Sequence, residues 1–306
     1  MSLAFLFPGQ GSQTVNMLHD LPDHPAIWST LTECSDALHT NVLEFDSEVA
    51  LQSTVFLQLA LLAAGVATAR ALEAEGVIAE AVAGLSVGAF AAAVHCGVLA
   101  LADACRLVQQ RAQAMSALFP TGFGLAAIVG LNEQQVSTLV AASHTPESPV
   151  FVSNINAPRQ IVVAGSNAGM TKVLDAAIRT GATRAERLSV TVPSHCPLLQ
   201  PVADQLHQSF RDIPFHPPSK LYVGNVTARA LRTANAISQD LVDNIAHGVR
   251  WHDATVVLEE LGCDLFFEMP PGQVLTNLAR QSHPDIRAVA LSQSTLRHAA
   301  AIAKNV

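Results

Sequence analysis

The chain has 306 residues, half of them apolar and only 14% charged, with a formal net charge of −8. These proportions fit a globular enzyme with a sizeable core and exclude a disordered or fibrous chain. The acidic balance argues against a nucleic-acid binder, which needs clustered Lys and Arg for phosphate contacts. The five cysteines (Cys34, Cys96, Cys105, Cys196 and Cys263) are widely spaced with no C-x-x-C pair. That pattern predicts free thiols in a reducing, cytoplasmic setting rather than a disulfide framework or a zinc ribbon. No basic leader precedes the first apolar residues, so a signal peptide is not expected. The apolar stretch Val55 to Ala69, interrupted by Gln58, Gly65 and Thr68, predicts a buried core helix and not a membrane span.

In chain order, Leu3 to Phe7 predicts a strand stopped by Pro8, followed by the loop Gly9-Gln10-Gly11-Ser12-Gln13. Helical patterns fill most of 26 to 75, and Ala79 to Ala83 predicts a short strand. That strand runs into Gly84-Leu85-Ser86-Val87-Gly88 and then the small-residue helix Ala89 to Val94. A serine in such a strand-to-helix turn is a nucleophile elbow: glycines two residues to either side relieve the clash and leave the hydroxyl exposed. The amide of Val87 then opens a helix, where it can help to stabilise an oxyanion. In the next predicted helix, 101 to 118, steps of four and three give the inward stripe Ala104, Val108, Arg111, Met115 and Leu118. Arg111 thus sits on an apolar face, where a guanidinium requires an anionic partner.

From about residue 124 the pattern becomes strand (124–129), helix (132–143, capped by Asn132), strand (150–154), strand (160–164), helix (167–180) and strand (183–188). This βαββαβ order is the ferredoxin-like unit. Strand signals resume at 220–223 and 264–267, so the expected fold is α/β. It has a large α/β-hydrolase-like subdomain with a parallel sheet (1–123 and 190–306) and an inserted ferredoxin-like subdomain (124–189).

A serine nucleophile needs a base within hydrogen-bond reach. His95, nine residues further along the same helix, would lie about 13 Å away. His195, in Val192-Pro193-Ser194-His195-Cys196-Pro197, enters where the chain returns to the large subdomain and is the candidate base; a helix-capping histidine is the alternative. Asp175 and Glu186 occupy helix or strand positions without a loop signature. A backbone carbonyl or an Asn amide could therefore orient the imidazole, with Asn156 the best-placed side chain; an Asx turn before Pro158 is its other reading. No dinucleotide or P-loop glycine pattern is complete, and His247 and His252, five apart with no acidic cluster, do not make a metal site.

Six segments recur together in one known family: Phe7-Pro8-Gly9-Gln10-Gly11-Ser12-Gln13, the elbow at Ser86, Gln110-Arg111, Asn156-Ala157-Pro158-Arg159-Gln160, the segment around His195, and Pro271-Gly272-Gln273-Val274-Leu275. On these, nearly the whole chain resembles the malonyl-CoA:acyl-carrier-protein transacylases. The opening and the elbow look most like the malonyltransferase (epsilon) subunit of malonate decarboxylase. The resemblance implies ping-pong transfer of malonyl from malonyl-CoA through Ser86, with His195 as base. It implies the Gln10 and Val87 amides as oxyanion hole, Arg111 as bidentate partner of the malonyl carboxylate, and Asn156 and the Arg250 backbone beside His195. No cofactor or metal is implied; the acceptor is the phosphopantetheine-type thiol of an acyl carrier protein, of dephospho-CoA type for the decarboxylase. Nucleic-acid and membrane partners are not expected.

Two residues depart from the family's G-H-S-x-G-E pattern: Leu85 replaces His and Ala89 replaces Glu. Arg250 stands where Gln is frequent. The same transfer in fatty-acid or polyketide synthesis is the near alternative, and a serine esterase or thioesterase the alternative from another reaction class.

Overall fold

The computed structural model describes residues 2–304. The first half of the chain gives β1 (Ser2–Phe7), α1 (Pro25–Leu38), α2 (Thr54–Ala74), β2 (Ala81–Gly84), α3 (Gly88–His95) and α4 (Leu101–Leu118). Next come β3 (Phe123–Val129), α5 (Glu133–Ser143), β4 (Val150–Ala157), β5 (Gln160–Ser166), α6 (Asn167–Arg179) and β6 (Arg184–Arg187). The last part supplies α7 (Gln200–Phe210), β7 (Leu221–Val223), β8 (Ala230–Leu231), α8 (Ala234–Ala246), α9 (Trp251–Glu260), β9 (Cys263–Glu268), α10 (Val274–Ser282), β10 (Arg287–Ala290) and α11 (Leu296–Lys304).

The larger sheet has the order β10-β9-β1-β2-β7-β8. Its strands run parallel except β8, which turns back against β7. Central β1 is buried on both faces, so its sequence is continuously apolar. Leu3, Phe5 and Phe7 enter the core built with α2, α3 and α4, while Ala4 and Leu6 meet Trp251, Leu258 and Leu275 on the other side. Helix α2 is long and apolar enough to cross a membrane, but residues 57–69 are buried throughout. It is the expected core helix, lying against α1, α3 and α4.

The second sheet has the antiparallel order β4-β5-β3-β6, the ferredoxin-like arrangement expected from the βαββαβ pattern. Asn132 caps α5 through a reciprocal bond with Gln135, a capping box. Strand β4 extends further than its sequence predicts, to Ala157, so Asn156 belongs to a strand and not to a turn. That extension has a function in packing: Ile155 N–H donates to the Val249 carbonyl (2.8 Å) and Val249 N–H to that of Ser153 (2.9 Å), tying the small sheet to the segment before α9. Arg250 adds ion pairs to Glu133 at the start of α5 (3.1 Å) and to Asp253 (2.5 Å).

The turn between β2 and α3 is possible only with its glycines. A Cβ on Gly88 would lie 2.1 Å from the Phe7 carbonyl oxygen, and one on Gly84 would lie 2.1 Å from that of Gly88. Both obstacles are backbone, which cannot rotate aside. Gly88→Ala is therefore expected to destabilise the protein by about 3 kcal/mol, lowering the thermal midpoint by at least about 5 °C. A calorimetric midpoint equal to that of the unsubstituted protein would contradict the packing described.

Candidate active site

Ser86 sits at the tip of the turn between β2 and α3, half-buried, with φ +55°. A left-handed serine is strained by about 1 kcal/mol or more, and its N–H is turned away from the helix ladder. That N–H donates to Asn225 Oδ1 (3.1 Å), while Asn225 Nδ2 donates to the Gly84 carbonyl (2.8 Å). The Ser86 hydroxyl meets two groups: His195 Nε2 at 2.8 Å and Arg111, whose NH2 donates to Oγ at 3.2 Å.

His195 is fully buried and is oriented by the end of α8. The last carbonyls of a helix have no intrahelical partners. Here the Asn244 carbonyl accepts from His195 Nδ1, and the Ile245 carbonyl accepts from the His195 amide (3.0 Å). With the proton on Nδ1, Nε2 is left as acceptor for the serine hydroxyl. Burial, then the nearby Arg111 charge, pushes the His195 imidazole down to about 3, against the smaller opposing effect of the Asn244 carbonyl.

Arg111 lies on α4 at 1% exposure, as the inward stripe predicts; Leu118, the last position of that stripe, is instead 41% exposed at the helix end. Its NH1 donates to Gln58 Oε1 (2.5 Å), and Gln58 Nε2 donates onward to Gln10 Oε1 (3.1 Å). Its Nε has no partner, and no ion pair involves it among the described residues. Burial lowers the guanidinium to about 10, so it remains charged at neutral pH.

The loop after β1 brings Gln10 to the same place. A Cβ on Gly9 would be 3.4 Å from Ser86 Cβ and 2.7 Å from the Leu85 carbonyl, a close approach that needs glycine. The Val87 amide lies at the N-terminus of α3. Neither the Gln10 nor the Val87 amide donates to another protein group among the described residues.

Neither of the two expected supports of His195 hydrogen-bonds to it among the described residues. The orienting group is the Asn244 carbonyl and not Asn156, whose Oδ1 is buried in β4 without a partner. The Arg250 amide donates to the Asn225 carbonyl (2.8 Å), so it supports Asn225 rather than His195. Three contributors were not singled out by the sequence. Gln58 left a trace, as a polar residue inside an apolar helix. Asn225 follows a predicted strand with nothing to distinguish it, and Asn244 acts through a carbonyl that any residue carries.

This geometry, a hydroxyl between an imidazole acceptor and a buried cation, suits acyl transfer, and the comparisons agree. Residues 4–298 match the acyl transferase domain family. The chain is 36% identical over 305 residues to the malonyl CoA-acyl carrier protein transacylase of Escherichia coli (strain K12), covering 97% of this chain and 98% of that one. The chain belongs to the malonyl CoA-acyl carrier protein transacylase family. Membership makes it an acyltransferase, and the solved structures of relatives superpose closely. The transacylase of Coxiella burnetii matches with a TM-score of 0.94 at 33% identity, over 99% of this chain and 97% of that one. A malonyl-transacylase in complex with a type II PKS acyl-carrier protein matches with a TM-score of 0.94 at 33% identity over the whole of both chains.

With the imidazole so depressed, His195 should stay neutral on titration from about pH 8 to about pH 5, as followed by ring NMR signals. A midpoint close to the ordinary histidine value would contradict the burial and the Arg111 effect.

Proposed function

We propose that the protein transfers malonyl groups from malonyl-CoA to the thiol of an acyl carrier protein in fatty-acid or polyketide synthesis. The observation that carries this reading is Arg111: a fully buried guanidinium, 3.2 Å from the candidate nucleophile, with no acidic partner among the described residues. An unpaired buried charge costs several kcal/mol. A carboxylate arriving with the substrate supplies the missing partner through charge-assisted bonds, each about 1.5–3 kcal/mol. A plain acyl ester offers no such group.

In this mechanism Ser86 Oγ attacks the thioester carbonyl as its proton passes to His195 Nε2. The Gln10 and Val87 amides receive the oxyanion. The intermediate collapses with cleavage of the C–S bond, and His195 returns the proton to the departing CoA sulfur, leaving malonyl-Ser86. The carrier thiol then attacks the ester carbonyl and gives its proton to His195. As the Ser86 C–O bond breaks, that proton returns to Oγ. Substrate binding also affects the base: pairing Arg111 with the malonyl carboxylate cancels part of the charge that holds His195 low.

The finer expectation of a malonate decarboxylase subunit draws no support from the relatives described above, and the alternative fits them better. One relative is named a CoA-to-carrier transacylase and another was solved with a type II PKS carrier protein. The departures Leu85 and Ala89, which suggested malonate catabolism, are both buried in apolar cores, where they pack around the elbow.

Incubation with radiolabelled malonyl-CoA tests the assignment. The unsubstituted enzyme should carry label on Ser86 and pass it to a fatty-acid or type II polyketide carrier, and Ser86→Ala should carry none. Arg111→Ala should lose malonyl transfer by about 100-fold or more while keeping or gaining acetyl transfer. An unchanged preference for malonyl over acetyl would refute the carboxylate role of Arg111. Preferential transfer to a decarboxylase carrier, measured side by side, would return the assignment to malonate catabolism.

A further inference from the structure

Asn225 is buried at 3% exposure just beyond β7, and it does more than fill space. Its main chain is fixed from two directions. Asp240 on α8 accepts from the Asn225 amide (3.0 Å) and the Val226 amide (3.1 Å), and the Asn225 carbonyl accepts from Arg250 N–H (2.8 Å). Gly224 allows this approach, because a Cβ there would stand 2.7 Å from Asp240 Oδ1. From that anchored position both ends of the carboxamide engage the elbow: Oδ1 takes the Ser86 N–H at 3.1 Å and Nδ2 reaches the Gly84 carbonyl at 2.8 Å. One planar group thus spans the residues that carry the chain through its left-handed step.

We infer that Asn225 is a positioning residue that brackets the Ser86 turn and holds its hydroxyl in line with His195 Nε2. Without the bracket the Ser86 N–H becomes a buried donor lacking an acceptor, and the strained turn loses the contact that fixes its orientation. A shift of about 1 Å in a reacting atom lowers rate by about 100-fold. The inference rests on Ser86 acting as the nucleophile of the proposed transfer.

Asn225→Asp separates positioning from simple structural support. A protonated carboxyl copies the carboxamide, its carbonyl accepting from Ser86 N–H and its hydroxyl donating to Gly84. A carboxylate keeps the first bond but faces the Gly84 carbonyl with a lone pair. The charged and titratable groups around the new carboxyl are Asp240 from α8, itself close enough to Tyr222 of β7 to affect it, and His195 and Arg111 across Ser86; the Arg250 side chain turns away to Glu133 and Asp253. Burial and Asp240 favour the protonated form, and Arg111 opposes it from beyond the serine. Activity should therefore fall as pH rises through the titration of the introduced acid.

The readouts are malonyl transfer and the rate at which Ser86 is labelled by a fluorophosphonate, with folding checked by circular dichroism at each pH. In Asn225→Asp both rates should lie within about tenfold of the unsubstituted enzyme near pH 5.5 and fall about 100-fold near pH 8. KM for malonyl-CoA should change little, because Arg111 and Gln58 are untouched. Asn225→Ala should be about 100-fold slow at every pH. A pH profile for Asn225→Asp parallel to that of the unsubstituted enzyme, or full labelling rate in Asn225→Ala, would overturn the inference. If Asn225→Ala does not fold, the two pH values on one preparation of Asn225→Asp still decide it. Unsubstituted protein that labels with fluorophosphonate yet fails to transfer malonyl would refute the malonyl reading alone, and the labelling comparison would still judge Asn225.

Discussion

A hydroxyl and an imidazole from distant parts of the chain hydrogen-bond only if something sets their separation, and here one helix sets it from both sides. Residues of α8 hold the two partners by different means. Asp240, one turn before Asn244, fixes Asn225, which in turn holds the Ser86 amide. Asn244 and Ile245, in its last turn, fix the ring and the main chain of His195. The spacing along α8 is that of a single helical turn, so it is as rigid as the backbone hydrogen bonds within that turn. The Ser86–His195 contact of 2.8 Å therefore depends on a short α-helical segment more than on either loop. The glycines of the elbow make the approach sterically possible, and α8 determines where it ends.

Electrostatics follows from the same compactness. Arg111, Gln58 and Gln10 form a line of side-chain bonds leading from α4 through α2 to the loop after β1. This line satisfies part of the guanidinium with a neutral amide and leaves its charge uncompensated. The charge depresses the neighbouring imidazole, which burial has already depressed. In the proposed mechanism, carboxylate recognition and base strength are therefore coupled.

Much of this was legible in residue order. The alternation of periods between 123 and 188 is regular enough to give the βαββαβ unit, and its strand order follows from that connectivity. Arg111 was visible because a charged residue on a four-three apolar stripe contradicts its surroundings. Ser86 was visible because the glycines about it solve a steric problem that few other structures pose. Asn156 and Arg250 illustrate the limit. Both occupy segments close to the site, but adjacency along a strand does not say which neighbour receives a hydrogen bond. β4 runs three residues past its predicted end, carrying Asn156 into the sheet, and the Arg250 amide finds Asn225. The actual support for His195 is a main-chain carbonyl at a helix end, which no side-chain identity encodes. Asn225 escaped for a related reason: its partners, Gly84 and Ser86, are some 140 residues earlier in the sequence.

The partner of His195 Nδ1 is a neutral carbonyl, where a serine hydrolase of the triad type places a carboxylate. Among the described residues no carboxylate bonds the ring to stabilise an imidazolium, and burial, which acyl loading does not remove, keeps the ring a weak base. A base so weak discriminates between acceptors by how willingly they surrender a proton. A thiol, with a pKa of about 8.5, gives it up readily; water, at about 15.7, does not. Solvent entering the site would thus meet an acyl ester with little to activate it. In the proposed mechanism, the choice of a helix-end carbonyl over an acid would favour thiolysis over hydrolysis and so protect the intermediate until a carrier arrives.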